Sequence, residues 1–132
     1  MPKFGKTSQA RLATCHPDLQ LLMKALIKHV DVSILCGHRT EAEQNKAYRE
    51  GASTKKFPKS KHNQLPSLAV DIAPWPIDWK DRGRFYMVVG YVRRLADELG
   101  IKIRCGGDWD GDLNTDDQRL HDLPHIELVE AI

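Results

Sequence analysis

The feature that most constrains the fold is a short apolar segment, Leu68 to Ala73, which is followed by prolines at positions 74 and 76. Apolar and β-branched residues at this density favour a buried strand, and proline lacks the amide proton that continued sheet pairing requires. The sequence therefore predicts a short strand after which the chain turns. Asp71 lies within this segment, and a carboxylate in a buried strand needs a reason other than packing.

Three segments of the chain carry the pattern of helices. Apolar residues recur at three- and four-residue steps from Pro17 to Val30 and again between Asp81 and Gly100. Between these two segments, Thr40 to Glu43 forms a capping box, in which the side chains of the first and fourth residues satisfy free amide groups at a helix start. This motif predicts a shorter helix from about Glu41 to Glu50.

Three further segments alternate apolar and polar residues, which is the pattern of half-buried strands. They run from Asp31 to Cys36, from Ile101 to Cys105 and from His125 to Val129. The helices and strands follow one another without a regular β-α-β alternation, and 132 residues are enough for one hydrophobic core. We therefore expect one domain spanning residues 1–132, an α+β fold with a small, mostly antiparallel sheet and flanking helices.

The composition argues against several classes of protein. A net charge of +2 does not provide the concentrated basic surface of a nucleic-acid-binding protein, so we expect no nucleic-acid partner. No window of the sequence approaches the roughly 18 apolar residues of a membrane span, so we expect no stable membrane insertion. The three cysteines are odd in number and lack C-x-x-C spacing, which indicates neither a disulfide framework nor a cysteine zinc site.

Alternation along two of the predicted strands places metal-binding side chains on one face of the sheet. Val70 and Ile72 point toward the core, so Asp71 between them points to the opposite face. In the last strand the same rule places His125 opposite the apolar residues. His62, in the loop before the first of these strands, completes a His-Asp-His set.

Three nitrogen or oxygen ligands without a fourth protein ligand are typical of catalytic zinc, whose open position holds a water. Asp122 precedes His125 by three residues in the motif HDLPH, and Pro124 bends this segment so that both side chains can reach one site. We assign Asp122 as general acid and base, with Glu127 as the next candidate. Arg39 offers a planar guanidinium that suits a developing oxyanion or a substrate carboxylate.

The segments GHRTEAEQ, SKHN, LAVDIAP, GGDWDGD and DLPHIEL resemble the successive motifs of a zinc peptidase family. That family includes VanY-type D-alanyl-D-alanine carboxypeptidases and phage L-alanyl-D-glutamate endolysins, and the resemblance runs from about Ser8 to the C-terminus. It implies a hedgehog/DD-peptidase-like zinc peptidase domain. By matching position it also implies that His62, Asp71 and His125 are zinc ligands and that Asp122 is the catalytic acid and base. It further implies that Arg39 acts on the oxyanion or the substrate, and that Ser60 helps to bind substrate.

The resemblance further implies an activity, the zinc-dependent hydrolysis of L-alanyl-D-glutamate in the peptidoglycan stem peptide by a phage or prophage endolysin. Two alternatives stay open: a D-alanyl-D-alanine carboxypeptidase, for which we would expect an export signal, and a zinc-holding wall-binding module without catalysis. In the endolysin interpretation, peptidoglycan is the partner and the chain is a monomer made in the host cytoplasm. It then acts in the periplasm and cell wall after a holin has permeabilised the membrane.

An acidic loop between Gly106 and Gln118 carries oxygen side chains at every second position. This spacing can wrap a hard cation such as calcium, which takes about six to eight oxygen ligands. We weigh a calcium site here against an ordinary solvated loop. The candidate ligands are Asp108, Asp110, Asp112, Asn114 and Asp116.

Overall fold

The computed structural model describes residues 2–106 and 123–129. Within these ranges the chain forms four helices and four strands, with a short 3₁₀ turn, Lys61–Asn63, before the second strand. In chain order the elements are α1 (Lys6–Leu12), α2 (Pro17–Leu26), β1 (Val32–Cys36), α3 (Glu41–Arg49), β2 (Ala69–Pro74), α4 (Arg82–Leu99), β3 (Ile103–Cys105) and β4 (His125–Leu128). The predicted α+β class is confirmed.

The four strands form one sheet in the order β1-β2-β4-β3, and each neighbouring pair is antiparallel. Strand β2, the segment closed by prolines, therefore lies between β1 and β4. In this register Asp71 pairs with Cys36 on one side and with His125 on the other. The register of the β1–β2 pair shifts between Ile34 and Cys36, at the end of β1. The fold thus brings residues from three distant segments to one point of the sheet.

One face of the sheet packs against the helices and forms the core. Val70 and Ile72 of β2 and Ile126 and Leu128 of β4 are all buried, as the alternation predicts. They belong to a cluster that includes leucines of α2 and valines of α4. Burial of a large aliphatic side chain contributes about 1.5–3 kcal/mol, so this face supplies much of the stability. The opposite face is free to carry polar chemistry.

Helix α2 ends earlier than the periodicity predicts. It stops at Leu26, whereas the apolar pattern continues to Val30. The amide of His29 bonds to the carbonyl of Leu26 at 2.9 Å, an i to i+3 bond that tightens the chain into a turn. Ile27 and Val30 nevertheless pack against the core, so the periodic burial extends beyond the helix.

Helix α1 was not predicted, because its sequence KTSQARL carries no apolar stripe. It lies against β1 and bonds to that strand through side chains. The Ser8 hydroxyl accepts from the amide of Ile34 at 3.0 Å, and the Arg11 guanidinium donates to the Ile34 carbonyl at 3.1 Å. These bonds cover the outer edge of β1, which would otherwise expose unpaired backbone groups.

Within the described ranges, each helix is too short or too polar to cross a membrane. The capping box of α3 is present as predicted. The Thr40 hydroxyl accepts from the Glu43 amide at 3.2 Å, and the Glu43 carboxylate accepts from the Thr40 amide at 2.9 Å. This cap fixes where α3 begins, directly after Arg39.

Candidate functional site

The site lies on the polar face of the sheet, where two cross-strand partners meet a third residue from the 3₁₀ turn. Asp71 of β2 and His125 of β4 stand opposite each other, and His62 reaches them from Lys61–Asn63. His62 Nε2 lies 3.2 Å from Asp71 Oδ1, and His125 Nδ1 lies 3.1 Å from the same oxygen. The structure thus brings together the three residues that the sequence predicts as zinc ligands.

The orientation of His62 follows from the bonds around it. Its Nδ1–H donates to the carbonyl of Gly37 at 2.7 Å, and its backbone amide donates to the Ser60 hydroxyl that begins the turn. The carbonyl of His62 in turn accepts from the amide of Arg39 at 2.7 Å. Because these bonds occupy Nδ1 and the backbone, the imidazole directs Nε2 at Asp71.

The orientation of His125 depends on Glu127, two residues further along β4. His125 Nε2 donates to Glu127 Oε1 at 2.8 Å, which leaves Nδ1 facing Asp71. The other oxygen of Glu127 accepts from Arg104 at 2.7 Å and lies 3.2 Å from the ammonium of Lys61. A metal-binding histidine commonly donates its second ring N–H to a carboxylate or a backbone carbonyl, and both histidines here do so.

Glu127 was considered from the sequence only as an alternative proton carrier. It is almost fully buried. Burial raises the pKa of its carboxyl, but hydrogen bonds from His125 and Arg104 outweigh this and hold the pKa well below its ordinary range. The carboxylate is therefore held in its charged form by three basic side chains. Because residues two apart on a strand share a face, the sequence already placed Glu127 on the same face of β4 as His125.

The electrostatics of the centre favour a positive charge beside Asp71. Burial lowers the pKa of His62, but hydrogen bonds with Asp71 and Cys36 overcome it and raise the pKa to about 10. The pKa of His125 is also raised: burial lowers it, and bonds to Asp71 and Glu127 more than compensate. The two histidines in turn hold the pKa of the Asp71 carboxyl far below its ordinary value, although burial alone would raise it. The Asp71 carboxylate and the two ring nitrogens that face it also suit a bound metal cation.

Arg39 lies on the other side of the Asp71 carboxylate. Its Nη2 is 3.7 Å from Asp71 Oδ2, the oxygen that does not face the histidines, and its Nη1 donates to Gln44 Oε1 at 2.9 Å. Gln44 belongs to the motif GHRTEAEQ, but sequence reasoning assigned it no role. Ser60 is buried at the same site, where its hydroxyl caps the 3₁₀ turn.

The centre forms one wall of an open cleft of about 550 Å³. Residues 51–55 also line this cleft. A cleft of this volume accommodates a short peptide. The charged residues that line it are Arg39, Lys55, Lys61, Asp71, Arg104 and Glu127.

Comparison with known proteins identifies the family. The model of a family described as phage L-alanyl-D-glutamate peptidase matches residues 1–129. The chain belongs to this family. It is also 38% identical, over 96% of its length and 98% of the relative's, to the L-alanyl-D-glutamate peptidase of Escherichia phage T5. Family membership makes the chain a peptidase and confirms the resemblance seen in its motifs.

A solved structure supports the fold of this peptidase. The L-Ala D-Glu endopeptidase ChiX of Serratia marcescens superposes with a TM-score of 0.76 at 28% sequence identity. The match covers 96% of this chain and 90% of ChiX. The predicted fold class and the predicted enzymatic class are therefore both confirmed.

The peptidase has one further potential metal ligand that was not predicted, Cys36. Its sulfur, a ring nitrogen of His62 and a carboxylate oxygen of Asp71 all lie within 4.8 Å of one another. Cys36 Sγ is 3.8 Å from His62 Nδ1, however, and that nitrogen already donates to Gly37. The thiol therefore lies beside the ring nitrogen of His62 that is bonded to Gly37, and within 4.8 Å of a carboxylate oxygen of Asp71. In the set of His62, Asp71 and His125, one ring nitrogen of each histidine faces the same oxygen of Asp71.

Several predicted residues of this peptidase lie outside the described residues. They include the proposed acid and base, Asp122, and all candidate calcium ligands of the acidic loop, Asp108, Asp110, Asp112, Asn114 and Asp116. Their assignments stay predictions. The chain re-enters the described region at Leu123, two residues before His125.

Gly37 provides the carbonyl that orients His62, and no side chain fits there. A Cβ on Gly37 would lie 2.5 Å from the Arg11 carbonyl oxygen and 2.9 Å from Cys15 Sγ. We predict that Gly37→Ala lowers the free energy of unfolding by about 1–3 kcal/mol, because the backbone must shift. Urea unfolding measures this loss. If the centre holds zinc as the sequence predicts, zinc affinity should fall about 10- to 100-fold as the carbonyl moves away from His62, which a competing chelator measures.

The matched control for this prediction is Gly90→Ala in α4, where an added Cβ meets nothing within 4 Å. Alanine is the better helix former, so this variant should be as stable as the parent or slightly more stable. A Gly37→Ala protein with parental stability and parental zinc affinity would contradict the role given to the Gly37 carbonyl.

Proposed function

We propose that this peptidase hydrolyses the bond between L-alanine and D-glutamate in the peptidoglycan stem peptide, using zinc held by His62, Asp71 and His125. The observation that carries the proposal is the convergence of His62 Nε2 and His125 Nδ1 on one oxygen of Asp71 beside an open cleft. Membership in the phage L-alanyl-D-glutamate peptidase family supports the choice of bond.

The three side chains fit zinc by their chemistry. Two imidazole nitrogens and one carboxylate oxygen are donors that zinc accepts, and three protein ligands are the number found in catalytic sites. The second nitrogen of each imidazole has an acceptor of its own, Gly37 or Glu127. When bound, zinc supplies a Lewis acid and makes water a nucleophile near neutral pH by lowering its pKa to about 7.

The residues of the chain divide the remaining work. We assign Asp122 to accept the proton of the attacking water and to deliver it to the amide nitrogen that leaves when the C–N bond breaks. Arg39, beside Asp71 and open to the cleft, is assigned to the negative charge that develops on the carbonyl oxygen or to a substrate carboxylate. Ser60, which also lines the cleft, is assigned to substrate contact.

The biological setting proposed for this activity is that of an endolysin. The chain would act as a monomer on peptidoglycan in the periplasm and cell wall after synthesis in the host cytoplasm and membrane permeabilisation by a holin. A calcium ion in the loop between residues 106 and 118 would be an additional cofactor. Lysis assays with and without a co-expressed holin test the first part, and calcium titration of zinc-loaded protein tests the second.

The choice of bond is tested by digesting purified peptidoglycan and identifying the new termini by mass spectrometry. We expect new carboxyl termini on L-alanine and new amino termini on D-glutamate. His125→Ala protein, treated in the same way, should produce neither. Released D-alanine in place of these termini would contradict the proposal and identify a D-alanyl-D-alanine carboxypeptidase.

A further inference from the structure

Gln44 is fully buried beside the site and uses its entire hydrogen-bonding capacity. Its Oε1 accepts from Arg39 at 2.9 Å and from Asn63 at 3.2 Å. Its Nε2 donates to the Ser53 hydroxyl at 3.0 Å and to the Lys55 carbonyl at 2.7 Å. A side-chain amide offers two acceptor and two donor positions, and all four are occupied.

These bonds connect three separate parts of the cleft. Arg39 faces Asp71, Asn63 ends the 3₁₀ turn that holds His62, and residues 51–55 form another part of the cleft lining. Gln44 is also the one buried residue of α3, whose remaining side chains are half-buried or exposed. Helix α3 is therefore held in place by the hydrogen bonds of a buried amide, whereas a surface helix normally packs through a stripe of apolar residues.

We infer that Gln44 is a positioning residue for the reaction: it holds the guanidinium of Arg39 against the centre and fixes the cleft wall formed by residues 51–55. The inference rests on the role proposed above for Arg39. An arginine has several rotatable bonds, and without the bond to Gln44 its guanidinium would sample other positions. A displacement of about 1 Å at a site can cost about 100-fold in rate.

Two substitutions separate the two halves of this role. Gln44→Met keeps the size of the side chain and removes all four bonds. Gln44→Glu keeps an acceptor for Arg39 but replaces the donor with an oxygen that repels the Lys55 carbonyl. We expect kcat/KM to fall about 10- to 100-fold in Gln44→Met, chiefly through kcat, and less in Gln44→Glu. Zinc content should stay at the parental value in both, because the three ligands are untouched.

The decisive measurement is a double-mutant cycle with Arg39→Ala. If Gln44 acts through Arg39, adding Gln44→Met to Arg39→Ala should lower kcat/KM by less than about threefold further. Fully additive losses would overturn the inference, because a general structural role does not depend on Arg39. An Arg39→Ala protein with parental kcat/KM would overturn the proposed role of Arg39 itself, and this inference with it.

Amide hydrogen exchange provides a readout that does not depend on activity. Exchange at residues 51–55 should become faster in Gln44→Met and Gln44→Glu but stay parental in Arg39→Ala. Gln20→Met in α2, which removes the bond from the Gln20 side-chain amide to the Cys15 carbonyl, controls for loss of a glutamine side chain elsewhere. It should leave kcat/KM and the exchange of residues 51–55 unchanged. Parental exchange of this segment in Gln44→Met would overturn the inference.

Discussion

Chelation of zinc should abolish hydrolysis of peptidoglycan and lower the thermal stability of the protein, and both should return when zinc is added back. The centre places two imidazole nitrogens around one carboxylate oxygen. Because these groups meet only when the chain is folded, an ion that binds them stabilises the folded state. Free zinc at about 1,000 times its dissociation constant adds about 4 kcal/mol of stability. Its removal should therefore lower the melting temperature by roughly 10–15 °C, as followed by circular dichroism.

The control for this prediction is a pair of histidine variants. His125→Ala removes a proposed ligand and should lose both zinc and activity, with no recovery in added zinc. His29→Ala removes an exposed imidazole that stacks on Tyr91, and it should bind zinc and cut peptidoglycan like the parent. Active protein that contains no zinc by elemental analysis would contradict the metal assignment.

Asp122→Ala should keep zinc and lose nearly all turnover. A general acid and base contributes about 10²- to 10⁴-fold to a rate, and Asp122 is not among the proposed ligands. Glu127, the other acid considered for this task, is held as a carboxylate by His125, Arg104 and Lys61. We therefore expect kcat for a stem-peptide substrate to fall by this factor while zinc content stays at the parental value.

Asp97→Ala, which removes an exposed carboxylate of α4, is the matched control and should leave kcat unchanged. Asp122→Asn keeps the size of the side chain without its proton-transfer ability, and it should be as slow as Asp122→Ala. Near-parental turnover in either Asp122 variant would show that the proton carrier is another group.

Much of the fold was predictable because its signals are local. The capping box located the start of α3, and the prolines after Ala73 located the end of β2 to within one residue. One helix was missed and another was predicted too long, in both cases because local pattern and structure separate. Helix α1 was missed because its sequence has no apolar stripe, and the structure shows that it bonds to β1 through Ser8 and Arg11. Helix α2 ends at Leu26 although apolar residues continue.

The candidate site was predictable in part for the same reason. Alternation with period two placed Asp71 and His125 on the polar face, which the buried Val70 and Ile126 confirm. Spacing alone did not reveal that Asp71 pairs with both Cys36 and His125, since strand order depends on the whole chain. The roles of the ligands, of Asp122 and of the acidic loop are still predictions.

The sequence by itself determined the residue types, the helix caps and the face of each strand, because these depend on neighbours within a few positions. The tertiary structure alone decided which nitrogen of each histidine faces Asp71. His62 is oriented by Gly37, 25 residues away, and His125 meets Asp71 across 54 residues. Such bonds form only when the register of the sheet and the path of the loops bring distant groups within about 3 Å, and a local pattern carries no information about that distance.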